Sequence, residues 1–145
     1  MDSDNDGVGD LQGIASKVQY LKEIGIDGVW LSPIMKSPQY DYGYDISDYR
    51  DIHEQYGTLT DFDALVQACE TNDVKLILDL VPNHSSHLHE WFTKSENREA
   101  GYENYYLWHP GSFDPIKGER VPPNNWVSVF RFPGWKWSEK RKQFY

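Results

Sequence analysis

The chain has 145 residues, the size of one ordinary domain, with 26% charged and 39% hydrophobic residues, a composition typical of soluble globular proteins. No apolar run approaches the roughly 20 residues of a membrane span, and the formal net charge of −9 argues against nucleic acid or an anionic membrane surface as partner. The single Cys69 cannot form an internal disulfide.

The first readable segment is Asp2-Ser3-Asp4-Asn5-Asp6-Gly7-Val8-Gly9-Asp10, which follows Met1 with no basic start and no apolar h-region, so no signal peptide is legible. Counted from Asp2, carboxylates fall at loop positions 1, 3, 5 and 9 with Gly7 at 6. That spacing wraps oxygens round Ca²⁺, with Asp2, Asp4, Asp6 and Asp10 as side-chain ligands and Val8 offering its carbonyl. Gly13 stands at the twelfth position instead of the EF-hand glutamate, so this is an EF-like loop in another fold. The bland alternative is a solvated acidic turn.

Gln12 to Ile24 reads as a helix with Ile14, Val18 and Leu21 at helical spacing, and Gly25 supplies a left-handed stop. Gly28 to Ser32 is a short strand ended by Pro33, and Ile34 to Leu59 reads as a long loop. Within that loop, Tyr40-Asp41-Tyr42-Gly43-Tyr44-Asp45 combines aromatic rings with carboxylates. Rings cover the apolar faces of a pyranose and carboxylates accept from vicinal hydroxyls. A turn with two tyrosines packed beneath it is the alternative. Thr60 or Asp61 caps a second helix running to about Asn72, with Phe62, Leu65, Val66 and Cys69 on one face, where Cys69 serves core packing.

Lys75 to Val81 reads as a buried strand, followed by Asp79-Leu80-Val81-Pro82-Asn83-His84 at its end. Pro82 has no N–H and stops the ladder. Polar groups at the C-terminal ends of parallel strands are where α/β barrels place their chemistry. An Asp/His pair that merely holds a turn is the competing reading. Asn83-His84-Ser85 is a formal glycosylation sequon, read as a false positive because a glycan there blocks any pocket His84 lines. His87, His89 and His109 fit no zinc pattern and read as surface residues. After Ser86 periodicity is poor. Five of the six tryptophans lie there, among Tyr, Phe, Pro and Gly, indicating a loop-rich region.

Helix, strand, helix, strand at this spacing points to βαβ units in an α/β fold. Two strands do not close a parallel sheet, whose faces must both be covered, and a (β/α)₈ barrel takes about 250 residues. The chain therefore reads as a fragment with unpaired strand edges.

Taken in order, these motifs closely resemble the α-amylase superfamily, glycoside hydrolase family 13, and within it the α-glucosidase branch that includes insect-type maltases. Asp79 to His84 resembles the signature at the end of barrel strand three, and Asp2 to Asp10 the calcium loop after strand one. Trp30-Leu31-Ser32-Pro33 and Asp41 to Ile46 match the surroundings of strand two, and Pro122-Pro123-Asn124-Asn125-Trp126 the inserted domain B. One departure is Phe130-Arg131-Phe132-Pro133-Gly134, where the family carries a Gly- and Ser-rich stretch.

The resemblance implies a partial (β/α)₈ TIM barrel from after strand one through strand three over residues 1–86, then the start of a loop-rich domain B over 87–145. It implies a retaining hydrolase acting on maltose and oligosaccharides, with structural Ca²⁺ and no organic cofactor. A retaining enzyme needs a nucleophile and an acid/base, and the resemblance places both beyond Tyr145, so this chain alone is expected to be inactive. By resemblance Asp41, Tyr44 and His84 line the terminal glucose site, where Asp41 accepts from hydroxyls, Tyr44 stacks on the ring and His84 donates, while Asp79 orients the site. A secreted or membrane-anchored extracellular protein is also implied. The alternative is a non-enzymatic heavy subunit of an amino-acid transporter, a class that tends to lose these sugar-site residues.

Overall fold

The computed structural model describes residues Met1–Tyr145. They form two compact units, Met1–His89 and Glu90–Tyr145. No helix is long and apolar enough to cross a membrane.

The first unit opens with α1 (Leu11–Ala15) and α2 (Val18–Glu23). The sequence predicts one helix here. The structure breaks it at Ser16–Lys17, where Ser16 Oγ donates to the Gly13 carbonyl and Lys17 N donates to Ile14 O, a tighter turn than the α-helical one. Gly25 takes φ +90 and closes α2 as expected, with Gly25 N bonded to Lys22 O and Ile26 N to Leu21 O.

Strand β1 (Gly28–Leu31) is followed by β2 (Met35–Lys36) and β3 (Asp48–Ile52), which pair antiparallel. The segment expected to be one long loop thus contains a small ladder. The run Asp48-Tyr49-Arg50-Asp51-Ile52 hides it because its charges mask any apolar alternation. Asp51 holds Lys36 at 2.6 Å across the pair. The cap of helix α3 (Leu59–Thr71) lies two residues before the earliest expected one, Thr60: Thr58 is the N-cap and Asp61 completes a capping box with it.

Strand β4 (Lys75–Leu78) runs parallel to β1 with Val29 opposite Leu76 and Leu31 opposite Leu78, so β1, α3 and β4 form a βαβ unit. The strand ends before the expected Val81. Asp79 N still bonds Leu31 O at 3.2 Å, but Pro33 and Pro82 lack the N–H groups to continue. Val29, Leu31 and Leu76 face the core with Leu11, Val18, Ile34, Ile52, Leu65, Cys69 and Val74, which confirms Cys69 as a packing residue. The opposite face carries Trp30 (54% exposed) and Ile77 (53%). Within this unit the expected buried strand is therefore packed through Leu76 on one face, while Ile77 on the other is exposed.

The second unit is loop-rich, as its composition suggests, yet it holds α4 (Glu90–Glu96) and the hairpins β5 (Ser112–Asp114) with β6 (Glu119–Val121) and β7 (Trp137–Ser138) with β8 (Gln143–Phe144). Phe92 contacts the rings of Tyr106, Trp108 and Tyr145. The guanidinium of Arg141 lies 4.4 Å over Trp108 and donates to the Ser95 and Glu103 carbonyls, so aromatic faces and backbone acceptors solvate this buried cation.

Candidate functional site

Parallel pairing sends the segments after β1 and β4 out of the sheet at the same end. The first segment is organised by Asp45. Its carboxylate accepts from Ser37 Oγ at 2.7 Å, Tyr40 N at 3.1 Å and Asp41 N at 3.0 Å. Tyr44 N then bonds Asp41 O at 2.9 Å, closing a tight turn whose central residues Tyr42 and Gly43 have φ +51 and +96. Two consecutive positive φ values define a primed turn. A Cβ on Gly43 would lie 3.0 Å from the Pro33 carbonyl oxygen, so glycine is needed for space as well as conformation.

That turn points half-buried Tyr44 at the second segment. Tyr44 Oη stands 3.5 Å from Asp79 Oδ2, long for an O–H···O bond. Burial raises the Tyr44 phenol pKa, and the Asp79 charge adds to the effect. His84 Nε2 lies 3.0 Å from the Tyr44 carbonyl oxygen, which only accepts, so Nε2 carries the proton. Nδ1 is then the acceptor for Asn83 Nδ2 at 3.1 Å. Three of the four expected sugar-site residues thus lie together: His84 bonds the Tyr44 carbonyl, the Tyr44 hydroxyl stands near Asp79 without a strong bond, and Asp41 shares the turn of Tyr44. Its charge contributes to the raised Tyr44 pKa. Exposed His84 offers its ring to the site, although a sugar hydroxyl must compete with Tyr44 O for the Nε2 proton.

Two structural supports carry no mark in the sequence reading. Asp45 lies inside the quoted motif but its role as the acceptor that shapes the turn was not legible. Tyr49 on β3 donates toward His84 O at 2.6 Å and Val81 O at 3.1 Å, partners 35 and 32 residues away. Among the histidines, His87 is exposed and stacks on Tyr40 at 5.9 Å, and His109 is exposed, as expected. His89 is not a surface residue: it is 4% exposed, with its ring 5.5 Å from that of Tyr49.

In the N-terminal loop, oxygens of Asp2, Asp4 and Asp10 converge within 4.8 Å of one another. Asp6 does not join them; its carboxylate accepts from Val8 N at 2.7 Å. Asp2 accepts from Asn5 N and Gly7 N. Asp10 accepts from Ser3 N and Gly13 N and caps α1. These bonds, that from Ser3 N foremost, hold the Asp10 carboxyl below its ordinary range. Three converging hard oxygen donors suit a Ca²⁺ ion.

The family profile for the α-amylase catalytic domain matches residues 1–145. The chain belongs to the α-amylase catalytic-domain family. It is 59% identical over 147 aligned residues to Maltase 1 of Drosophila virilis, covering 99% of this chain and 23% of the relative. It is 58% identical to the salivary alpha-glucosidase of Anopheles gambiae, covering 99% and 24%. Among solved structures, Bacillus licheniformis trehalose-6-phosphate hydrolase superposes with a TM-score of 0.89 at 43% identity, covering 99% of this chain and 25% of that one. This α-amylase-family chain thus spans about a quarter of the length of the relatives it matches, and its β1–α3–β4 unit is part of an α/β barrel.

Proposed function

We propose that the α-amylase-family protein carrying this chain is a maltase-type α-glucosidase, a hydrolase that releases terminal α-linked glucose with retention. The approach of Tyr44, in the turn between β2 and β3, to Asp79 and His84 beyond the end of β4 carries the reading. A pocket for a sugar needs an aromatic face, a charged acceptor and a donor converging on one side, and here that turn and the segment beyond β4 supply them. The names of the relatives support a hydrolase over a transporter subunit.

In this reading Asp41 accepts from glucose hydroxyls, Tyr44 stacks on the ring, His84 donates to a hydroxyl and Asp79 orients the group. They grip the sugar while it flattens toward an oxocarbenium-like state; the nucleophile and acid/base come from elsewhere in the protein. Residues 1–86 supply barrel segments and 87–145 begin inserted domain B. A structural Ca²⁺ is held by Asp2, Asp4 and Asp10, with the Val8 carbonyl as the further donor the spacing suggests and Asp6 outside the trio, its carboxylate on Val8 N. The ion would cancel the repulsion among these carboxylates and tie the loop to α1. The test is maltose hydrolysis by the full-length protein, followed by NMR of the released anomer. First-formed α-glucose supports the proposal; β-glucose, or no turnover by folded protein, overturns it.

A further inference from the structure

We infer that Tyr49 is a positioning residue for His84, through the hydrogen bond from its phenol to the His84 carbonyl. The inference rests on the reading of His84 as a sugar-contacting group. Tyr49 lies on β3, outside every motif that marks the site, with its ring half-buried against the buried His89. Its hydroxyl reaches two carbonyls of the segment that follows β4, His84 O at 2.6 Å and Val81 O at 3.1 Å. A phenol has one proton, so the shorter contact takes most of it and the longer one shares it.

The consequence is geometric. Between Val81 and His84 the chain contains Pro82 and has left the ladder, so sheet bonds no longer hold it. Besides the longer Tyr49 contact to Val81 O, three contacts with the stretch from Tyr44 to Tyr49 help to replace them. Ser86 N donates to Ile46 O at 2.8 Å, His84 Nε2 donates to Tyr44 O at 3.0 Å, and Tyr49 clamps the His84 carbonyl itself. The first acts beyond His84 and the second is the one a sugar hydroxyl competes with. Once substrate draws the imidazole proton away from Tyr44 O, the Tyr49 phenol is the remaining contact among the three that acts on the His84 backbone. A catalytic-site group loses rate when its support lets it drift by about 1 Å. Tyr49 therefore keeps His84 in place at the moment its own side-chain anchor is exchanged for substrate.

A double-mutant cycle on the full-length protein tests this with maltose as substrate. Tyr49→Phe removes one oxygen and should lower kcat/KM by about tenfold, chiefly in kcat, the range expected for one lost hydrogen bond to a positioned group. In the His84→Ala background the same change should cost less than about twofold, because Tyr49 acts through His84. Replacing Tyr49 with para-aminophenylalanine, which restores an N–H donor, should recover most of the rate. A damaging His84→Ala with a neutral Tyr49→Phe, or with effects that multiply independently, overturns the role of Tyr49 alone. A neutral His84→Ala overturns the reading of the site, and this inference with it. If Tyr49→Phe melts early, the amino analogue decides: recovered stability without recovered rate counts against positioning.

Discussion

The Tyr44 hydroxyl stands 3.5 Å from the Asp79 carboxylate, although 35 residues separate them in the chain. The distance is too long for a strong bond, so neither residue holds the other. The primed turn at Tyr42–Gly43 aims Tyr44, and the parallel register of β1 and β4 sets the height of Asp79.

Tyr44 should ionise at higher pH than an ordinary tyrosine, because burial and then the Asp79 charge oppose the phenolate. The sign follows: with the folded pKa above the unfolded one, its contribution to stability is complete below the ordinary tyrosine range. It is lost as pH rises through the folded value. Asp79→Asn removes the Asp79 charge while burial and the Asp41 charge remain, and should move the Tyr44 transition downward. Ultraviolet difference titration against Tyr44→Phe measures it; an upward shift would contradict the geometry.

Asp41→Ala in the full-length protein should lower kcat/KM for maltose by roughly 10- to 150-fold, the worth of a charged acceptor to a sugar hydroxyl. Melting temperature should hardly change, since the turn is shaped by the Asp45 carboxylate and the Asp41 backbone. Gly43→Ala should do the reverse, losing stability first, as its Cβ meets the Pro33 carbonyl. Steady-state kinetics with parallel calorimetry separate the two.

Chelation should lower the melting temperature of the full-length protein, because an ion that binds the folded state alone stabilises it by mass action. Asp4→Asn should weaken Ca²⁺ retention in elemental analysis more than Asp6→Asn, since Asp4 belongs to the converging trio and Asp6 does not. Equal loss in both variants would mean that the loop closes differently around the ion.

Thr58→Ala should destabilise the protein by about 1 kcal/mol through loss of the α3 cap. Its partner Asp61 is held below the ordinary carboxylate range, first by the Thr58 hydroxyl and then by Gln12. The contribution of Asp61 is therefore present above the unfolded carboxylate pKa and disappears as pH falls through the folded one. Denaturant unfolding should show the cost of Thr58→Ala shrinking toward acid pH. A cost unchanged between neutral and acid conditions would rule the coupling out.

Much of this protein is legible in short stretches of chain. The stop at Gly25, the βαβ order and the family motifs all depend on neighbours within a few residues, where spacing and residue type decide the outcome; the end of β4 at Leu78, three residues short of the expected Val81, does not. The break of α1 from α2 is also local, yet it turns on which acceptor Ser16 Oγ takes, a competition that apolar periodicity does not register. The β2–β3 pair escaped because its charged residues suppress the alternation that marks a strand.

The site divides the same way. Resemblance of the sequence to a family nominated Asp41, Tyr44, Asp79 and His84, and carboxylate spacing nominated the N-terminal loop. Only the tertiary structure gathered Asp2, Asp4 and Asp10 without Asp6, buried His89, and laid Tyr49 against the His84 carbonyl. Residue type reports what a side chain is able to bond. Which partner it meets, when candidates lie 35 or 40 residues away, is decided by the register of β1 on β4 and the pairing of β3 with β2, because backbone position sets distance and hydrogen bonds act over about 3 Å.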